Sequence, residues 1–118
     1  MPWRIAIFML AFSLTLTGCE ANCGNEVSNT VVSPSGTMKA VVFNRNCGAT
    51  TGFNTQVSIL SVGQDLQDEG GNVLIVDDTV PLVIRWTSND EIFISGIGGS
   101  TILKKANSAD GVRIRYDE

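Results

Sequence analysis

Apolar and polar residues alternate in short runs over most of the chain, and turn-forming residues separate the runs. Residues 112–116 are the clearest case, because Val112, Ile114 and Tyr116 share one parity and two arginines occupy the other. A period of two places successive side chains on opposite faces of a β-strand. The same alternation, together with enrichment in Val, Ile and Thr, predicts strands at 37–46, 54–62, 72–77, 80–86, 91–95, 101–104 and 112–116.

The segments between these runs are rich in Gly, Pro, Asn, Asp and Ser, which favour turns. They include Ser33-Pro34-Ser35-Gly36, Gly70-Gly71-Asn72, Ser88-Asn89-Asp90 and Asp110-Gly111. No stretch after Cys19 has the 3.6-residue period of an amphipathic helix. The pattern predicts an all-β domain, a single small antiparallel sandwich or partly closed barrel of about seven or eight strands.

The N-terminus has a different pattern. Residues 5–16 are mostly apolar and uncharged, and they follow a short start that contains Arg4. As a helix, such a segment would rise about 18 Å, whereas a hydrocarbon core is about 30 Å thick. This length favours a helical export signal over a membrane-spanning helix.

The apolar run ends in Leu16-Thr17-Gly18-Cys19, which resembles the lipobox of bacterial lipoproteins. The resemblance implies cleavage between Gly18 and Cys19, a thioether-linked diacylglyceryl group on Cys19, and often a further acyl chain on its new amino group. Two or more acyl chains hold a protein stably in a membrane. The alternative is an ordinary secretory signal, with Cys19 present in the mature chain by coincidence.

The lipoprotein resemblance also implies a location and a domain organisation. The location would be the bacterial cell envelope, on the outer face of the inner membrane or in the outer membrane. In lipoproteins of enteric bacteria, an aspartate directly after the lipidated cysteine tends to retain the protein in the inner membrane. This chain has Glu20 at that position instead, which slightly favours the outer membrane. We expect a signal peptide at 1–18, a lipidated N-terminus and short tether at 19–29, and one β-domain at 30–118.

Charge and composition exclude several classes of function. The chain has 8 basic and 12 acidic residues; loss of Arg4 with the signal leaves 7 and 12, a net charge of −5. Such a domain binds nucleic acid poorly. The chain contains no histidine, which excludes Ser-His-Asp catalysis, Cys-His nucleophiles and histidine-ligated metals. We therefore predict a protein that is not an enzyme and has neither cofactor nor metal.

Three cysteines are present. If Cys19 is lipidated, Cys23 and Cys47 remain as an even pair in an oxidising compartment, which favours a disulfide between them. Two free thiols are the alternative. A zinc site is less favoured, because two thiolates without histidine do not complete a tetrahedral set.

The segment from Cys47 to Val57 resembles a C-G-A-T-T-G-F-x-T-x-V stretch found in small exported bacterial proteins whose activity is not known. It is a predicted loop between two strands. Thr50, Thr51 and Asn54 could exchange hydrogen bonds with a ligand, and Phe53 could supply an apolar contact. The alternative is a structural loop that needs glycine for its backbone angles.

Other charged residues suggest weaker sites. Asp65, Asp68 and Glu69 do not have the spacing of a calcium loop. Adjacent residues of a strand face opposite ways, so Asp77 and Asp78 are not expected to form a catalytic pair. Arg85, Arg113 and Arg115 are expected to share an outward face and to pair loosely with neighbouring acids. Binding of an anionic partner by these arginines is the less favoured alternative.

The function predicted from these observations is a non-enzymatic, inhibitor-like binding module. It would be attached to the membrane through lipid on Cys19 and would bind an envelope protein or a glycan. One alternative is a structural envelope component without a ligand. A less favoured one is an enzyme that uses carboxylates such as Asp90 or Glu91, which lie beside a turn.

Overall fold

A computed structural model describes residues 23–48 and 51–117, which form nine β-strands and no helix. The strands are β1 Gly24–Val32, β2 Met38–Asn46, β3 Thr55–Ser61, β4 Leu74–Val76, β5 Val83–Ser88, β6 Glu91–Ser95, β7 Ile102–Lys105, β8 Ser108–Ala109 and β9 Val112–Tyr116. Each of the seven predicted strands is present, with ends that differ by at most three residues. The all-β prediction is confirmed. The described part of the chain therefore has no helix that is long and apolar enough to cross a membrane.

The strands form two sheets, in the orders β1-β2-β3-β4-β7 and β5-β6-β9-β8. All pairs are antiparallel except β6 and β9, which run parallel. The expectation of a purely antiparallel architecture is wrong for this pair. After β6 the chain crosses to the first sheet as β7 and then returns, so β9 arrives beside β6 in the same direction.

The two sheets pack face to face as a sandwich around one apolar core. The face predicted for residues 112–116 is confirmed, because Val112 and Ile114 are buried in the core and the two arginines between them and Tyr116 are exposed. The core includes Ala40, Val42, Val57, Ile59, Leu74, Val76, Ile84, Ile92, Ile94, Val112 and Ile114. Trp86 packs against it and donates its indole N–H to the carbonyl of Val31, 2.9 Å away, which links the edges of the two sheets.

Two of the nine strands, β1 and β8, were not predicted from the sequence. β8 has only two residues, and β1 is an edge strand whose side chains are mostly exposed and polar. Because β1 begins at Gly24, residues 24–29 belong to the sandwich rather than to the expected tether. Its pairing with β2 shifts register between Val27 and Asn29. Such a bulge twists an edge strand and makes it a poorer template for pairing with another chain.

The turn between β8 and β9 shows how local sequence produces this geometry. Asp110 and Gly111 have φ values of 49° and 82°. Positive φ at both central residues defines the type I′ turn, whose twist matches that of a hairpin and whose common sequences include Asp-Gly. The hairpin pairs Ala109 with Val112 across this turn.

A long segment between β3 and β4 covers part of the outer face of the five-stranded sheet. We call residues 62–72 the strap. Leu66 of the strap packs against a second apolar cluster of Val41, Phe43 and Leu60. β2 is therefore buried on both faces, which explains why both of its parities are apolar near its centre.

Side chains of the sheet hold the strap at several points. Asn25 donates to the carbonyls of Gln67 and Glu69, both at 2.9 Å. Arg45 donates to Asp68 Oδ1 at 2.9 Å, and the pair forms a salt bridge. Near the end of the strap, the N–H of Gly71 donates to Gln56 Oε1 at 2.8 Å, and the Gly71 carbonyl accepts from Lys104 at 3.0 Å.

Candidate functional site at the disulfide end

Cys23 and Cys47 form a disulfide, with an S–S distance of 2.05 Å. This prediction is confirmed. β1 pairs with β2 so that Gly24 lies opposite Asn46. The cysteines occupy the next position outward in the same register, at the open end of the hairpin. We call this end of the sandwich, together with the loops around it, the disulfide end.

Other connections meet at the same end. The Thr55 hydroxyl, at the start of β3, donates to the carbonyl of Asp78 at 2.8 Å and accepts from the N–H of Val80 at 3.0 Å. Asp78 also contacts Ser100, with 3.5 Å between their side-chain oxygens. The disulfide end therefore gathers the β2–β3 loop and two of the three crossovers between the sheets, from β4 to β5 and from β6 to β7. The candidate binding loop is part of this cluster.

Asn54 is bonded within the fold. Its Oδ1 accepts from the N–H of Arg45 at 2.9 Å and from Gln56 Nε2 at 3.0 Å, while its Nδ2 donates to the carbonyls of Arg45 at 2.7 Å and Gly52 at 3.2 Å. An amide side chain can make four hydrogen bonds. All four positions are used by the protein itself.

Thr51 is also bonded within the loop. Its hydroxyl accepts from the N–H of Cys47 at 3.0 Å, and its own N–H donates to the carbonyl of Gly48 at 3.1 Å. These contacts support the structural interpretation for Thr51 and Asn54. Phe53 is different, because it is 77% exposed. Of the predicted binding residues in the described part of the loop, Phe53 is the one whose side chain faces solvent. Thr50, like Gly18 and Cys19, lies outside the described residues.

Two open cavities lie near this end. One of about 220 Å³ is bounded by Asn29, Asn44, Asn54 and Thr79 together with apolar residues of β2 and of the connection between β4 and β5. The other, of about 470 Å³, is lined by Ile97, Ile102, Lys105 and Tyr116 among others. Pockets for drug-sized ligands usually measure about 300–1,000 Å³. The smaller cavity lies below this range, and the larger one lies within it.

Tyr116 lines the larger cavity and is held by the fold. Its hydroxyl donates to the carbonyl of Ala106 at 2.6 Å, and the ammonium of Lys105 lies 4.7 Å from the centre of its ring. Burial raises the pKa of Tyr116 to about 12. The phenol is thus a neutral hydrogen-bond donor at physiological pH.

The carboxylates considered for catalysis have partners within the fold. Glu91 Oε1 accepts from the Thr87 hydroxyl at 2.8 Å, and Oε2 lies 3.6 and 3.8 Å from Arg113 and Arg115. Asp90 Oδ1 accepts from the Ser88 hydroxyl at 2.7 Å. Neither residue lines the two cavities.

The acidic segment Asp65, Asp68 and Glu69 belongs to the strap, where Asp68 pairs with Arg45. Across residues 23–48 and 51–117, no group of three or more acidic or cysteine side chains lies close enough to hold a metal ion.

Sequence reasoning missed the polar cluster of Asn25, Arg45 and Asp68. Arg45 Nη1 donates to both Asn25 Oδ1 and Asp68 Oδ1 at 2.9 Å. These partners are 20 and 23 residues away along the chain. The cluster forms only when β1, β2 and the strap come together. No local sequence pattern therefore predicts it.

Comparison of the chain with protein-family models, with curated proteins and with solved structures finds no match.

Proposed function

We propose that this protein is a lipid-anchored, exported binding module of the bacterial envelope, without enzymatic activity, whose disulfide end faces the membrane. The observation that carries the proposal is the disulfide between Cys23 and Cys47. It ties the start of the sandwich to a point four residues after Cys19, the residue that the lipobox marks for lipidation.

The short spacing determines how the domain would sit. Four residue steps separate Cys19 from Cys23 and span at most about 14 Å of extended chain. A lipid on Cys19 would therefore hold the disulfide end close to the headgroups. Phe53, exposed at that end, would contact the interfacial region, where aromatic side chains are favoured. The sheet faces would stand roughly along the membrane normal and be accessible from the side.

The two acids considered for catalysis already have partners within the fold. Asp90 and Glu91 are engaged with Ser88, Thr87 and two arginines, outside the cavities. A general acid or base needs to reach the substrate proton within about 3 Å. The arrangement supports a binding role more than a hydrolytic one.

Expression of the full chain in a bacterium that processes lipoproteins tests the anchoring. We expect the mature protein to begin at Cys19 and to partition into detergent. After reduction and proteolysis, its first peptide should carry the mass of a diacylglyceryl group and of an added acyl chain. Cys19→Ser should abolish this lipid and leave the protein uncleaved or released. The control is the double variant Cys23→Ser, Cys47→Ser, which keeps the lipobox and should be lipidated normally. An unmodified Cys19 in the mature, exported wild-type protein would contradict the proposal.

A further inference from the structure

The outer face of the four-stranded sheet carries a row of two arginines and an aromatic ring. In the strand register, Arg85 lies opposite Phe93, and Phe93 lies opposite Arg115. The guanidinium carbon of Arg85 is 5.2 Å from the centre of the Phe93 ring, within the range of a cation–π contact. We call these residues, with Arg113, Glu91 and Val83, the arginine face.

The charge of this face is opposite to that of the domain. Among its described strand positions there are three arginines and one acid, Glu91, which leaves a charge of +2. The mature chain as a whole has a net charge of −5. Asp90 and Asp110 lie in the turns at one end of the sheet and bound the positive region there. Three of the seven basic residues are thus concentrated on one side of an acidic protein.

The arginines keep hydrogen-bonding capacity for a partner. The side chains of Arg113 and Arg115 are 72% and 65% exposed, whereas that of Glu91 is 19% exposed. Their closest approaches to Glu91 Oε2 are 3.6 and 3.8 Å, longer than a hydrogen bond. Glu91 Oε2 itself is buried and has no hydrogen-bond partner among the described residues. The pairing with Glu91 therefore orients the two guanidinium groups and leaves their N–H groups available.

The two outer faces of the sandwich differ in whether another segment of the chain packs on them. The strap covers the part of the outer face of the five-stranded sheet formed by β2 and β3, with Leu66 on its apolar cluster. On the arginine face, Val83 remains 60% exposed beside the Arg–Phe–Arg row. Arginine and aromatic side chains at the centre of a flat, partly apolar surface are the residues that contribute most to protein–protein binding.

We propose that the arginine face binds an acidic surface of a partner protein. Carboxylates of Asp and Glu match the planar guanidinium group in bidentate geometry, and the field of the patch would steer an acidic partner toward it. The two cavities described above lie away from this face, which therefore offers a surface to a protein rather than a pocket to a sugar chain. This inference rests on the proposed binding function and names the chemistry of its partner.

The first test measures binding of a fluorescent polyglutamate peptide to the full chain in detergent micelles. We expect saturable binding that weakens as salt rises. Arg85→Gln with Arg115→Gln should weaken it about tenfold, equivalent to about 1.4 kcal/mol. Arg115→Gln alone should also weaken binding, whereas the matched control Lys39→Gln, which removes the same charge outside the arginine face, should change affinity less than twofold. Equal weakening by Arg115→Gln and Lys39→Gln would overturn the proposal, and so would tighter binding of polygalacturonate than of polyglutamate.

The second test places a photo-crosslinking amino acid at Val83 in living cells of a bacterium that carries this protein. We expect a discrete crosslinked protein that disappears when Arg85 and Arg115 are changed to Gln. The same probe at Val62, on the strap of the opposite sheet, should not yield it. The purified crosslinked partner should bind the full chain, and loss of its surface carboxylates should abolish binding. Crosslinks unaffected by the arginine changes would overturn the inference. The lipid mass on Cys19 is measured in the same cells, so failed anchoring is recognised separately from failed binding.

Discussion

At the residue scale, two asparagine side chains act as substitutes for strand backbone. Asn54 pairs with both the N–H and the carbonyl of Arg45, and Asn72 does the same for Ile59, at 2.8 and 3.0 Å. Each stands two register positions beyond the last residue pair of its ladder. Buried backbone groups need hydrogen-bond partners. The two amides supply them where β3 has not yet begun and where β4 is only three residues long.

We predict that Asn54→Ala destabilises the domain by about 1–3 kcal/mol, because it leaves backbone groups of Arg45 without their partners. The measurement is chemical denaturation of the purified protein. Phe53→Ala, on the neighbouring exposed position, is the control and should change the free energy of unfolding by no more than about 0.5 kcal/mol. If Asn54→Ala unfolds like wild type but loses binding to an envelope partner, Asn54 is a ligand residue rather than a structural one.

At the element scale, the strap decides how the five-stranded sheet is protected. Its attachment depends on a close backbone approach at Gly71, where a Cβ atom would lie 2.6 Å from the carbonyl oxygen of Val57. That neighbour is backbone of β3 and cannot rotate away. Leu66 and the clamp from Gln56 to Gly71 then close the outer cluster. The strap is therefore a packed layer of the fold, and its attachment is most sensitive to substitution at Gly71.

We predict that Gly71→Ala destabilises the domain by about 1–3 kcal/mol, because the added methyl group forces β3 and the strap apart. Hydrogen exchange should rise first in the strap and β4. Gly63→Ala lies in the same strap, where a methyl group meets open space, and should leave stability unchanged within about 0.5 kcal/mol. Equal effects of the two substitutions would show that the close approach at Gly71 does not control attachment.

At the scale of the whole molecule, the disulfide closes the sandwich at its N-terminal edge. It joins residues 24 apart in the chain and encloses the β1–β2 hairpin. In the chain-entropy account, closing a loop of this length stabilises a protein by about 3.5 kcal/mol. β1 is polar and is an edge strand, so its own side chains contribute little to keeping it in place. The bond compensates for this weak strand.

We predict that Cys23→Ser with Cys47→Ser lowers the free energy of unfolding by about 2–4 kcal/mol. Amide exchange should increase most at residues 24–27, next to the lost bond, and less at residues 30–32, which remain anchored through Val31 and Trp86. Wild-type protein treated with a reductant is the control and should reproduce both effects. An unchanged stability would mean that the β1–β2 ladder alone holds the N-terminal edge.

The sequence by itself determined the strands with strong apolar alternation, the inward face of each, the turn at Asp110-Gly111 and the pairing of Cys23 with Cys47. These follow from local periodicity, from turn chemistry and from an even cysteine count. β1 has no such signal in the sequence, because an exposed edge strand needs no apolar pattern.

Only the tertiary structure decided the parallel pairing of β6 with β9, the path of the strap and the backbone pairing of Asn54. The row from Arg85 through Phe93 to Arg115 also depends on the tertiary structure, because its residues come from three different strands. Alternation reports which face a side chain occupies but not which strand lies beside it. Contacts between distant segments depend on chain order in the sheets, and that order is set by packing of the whole core.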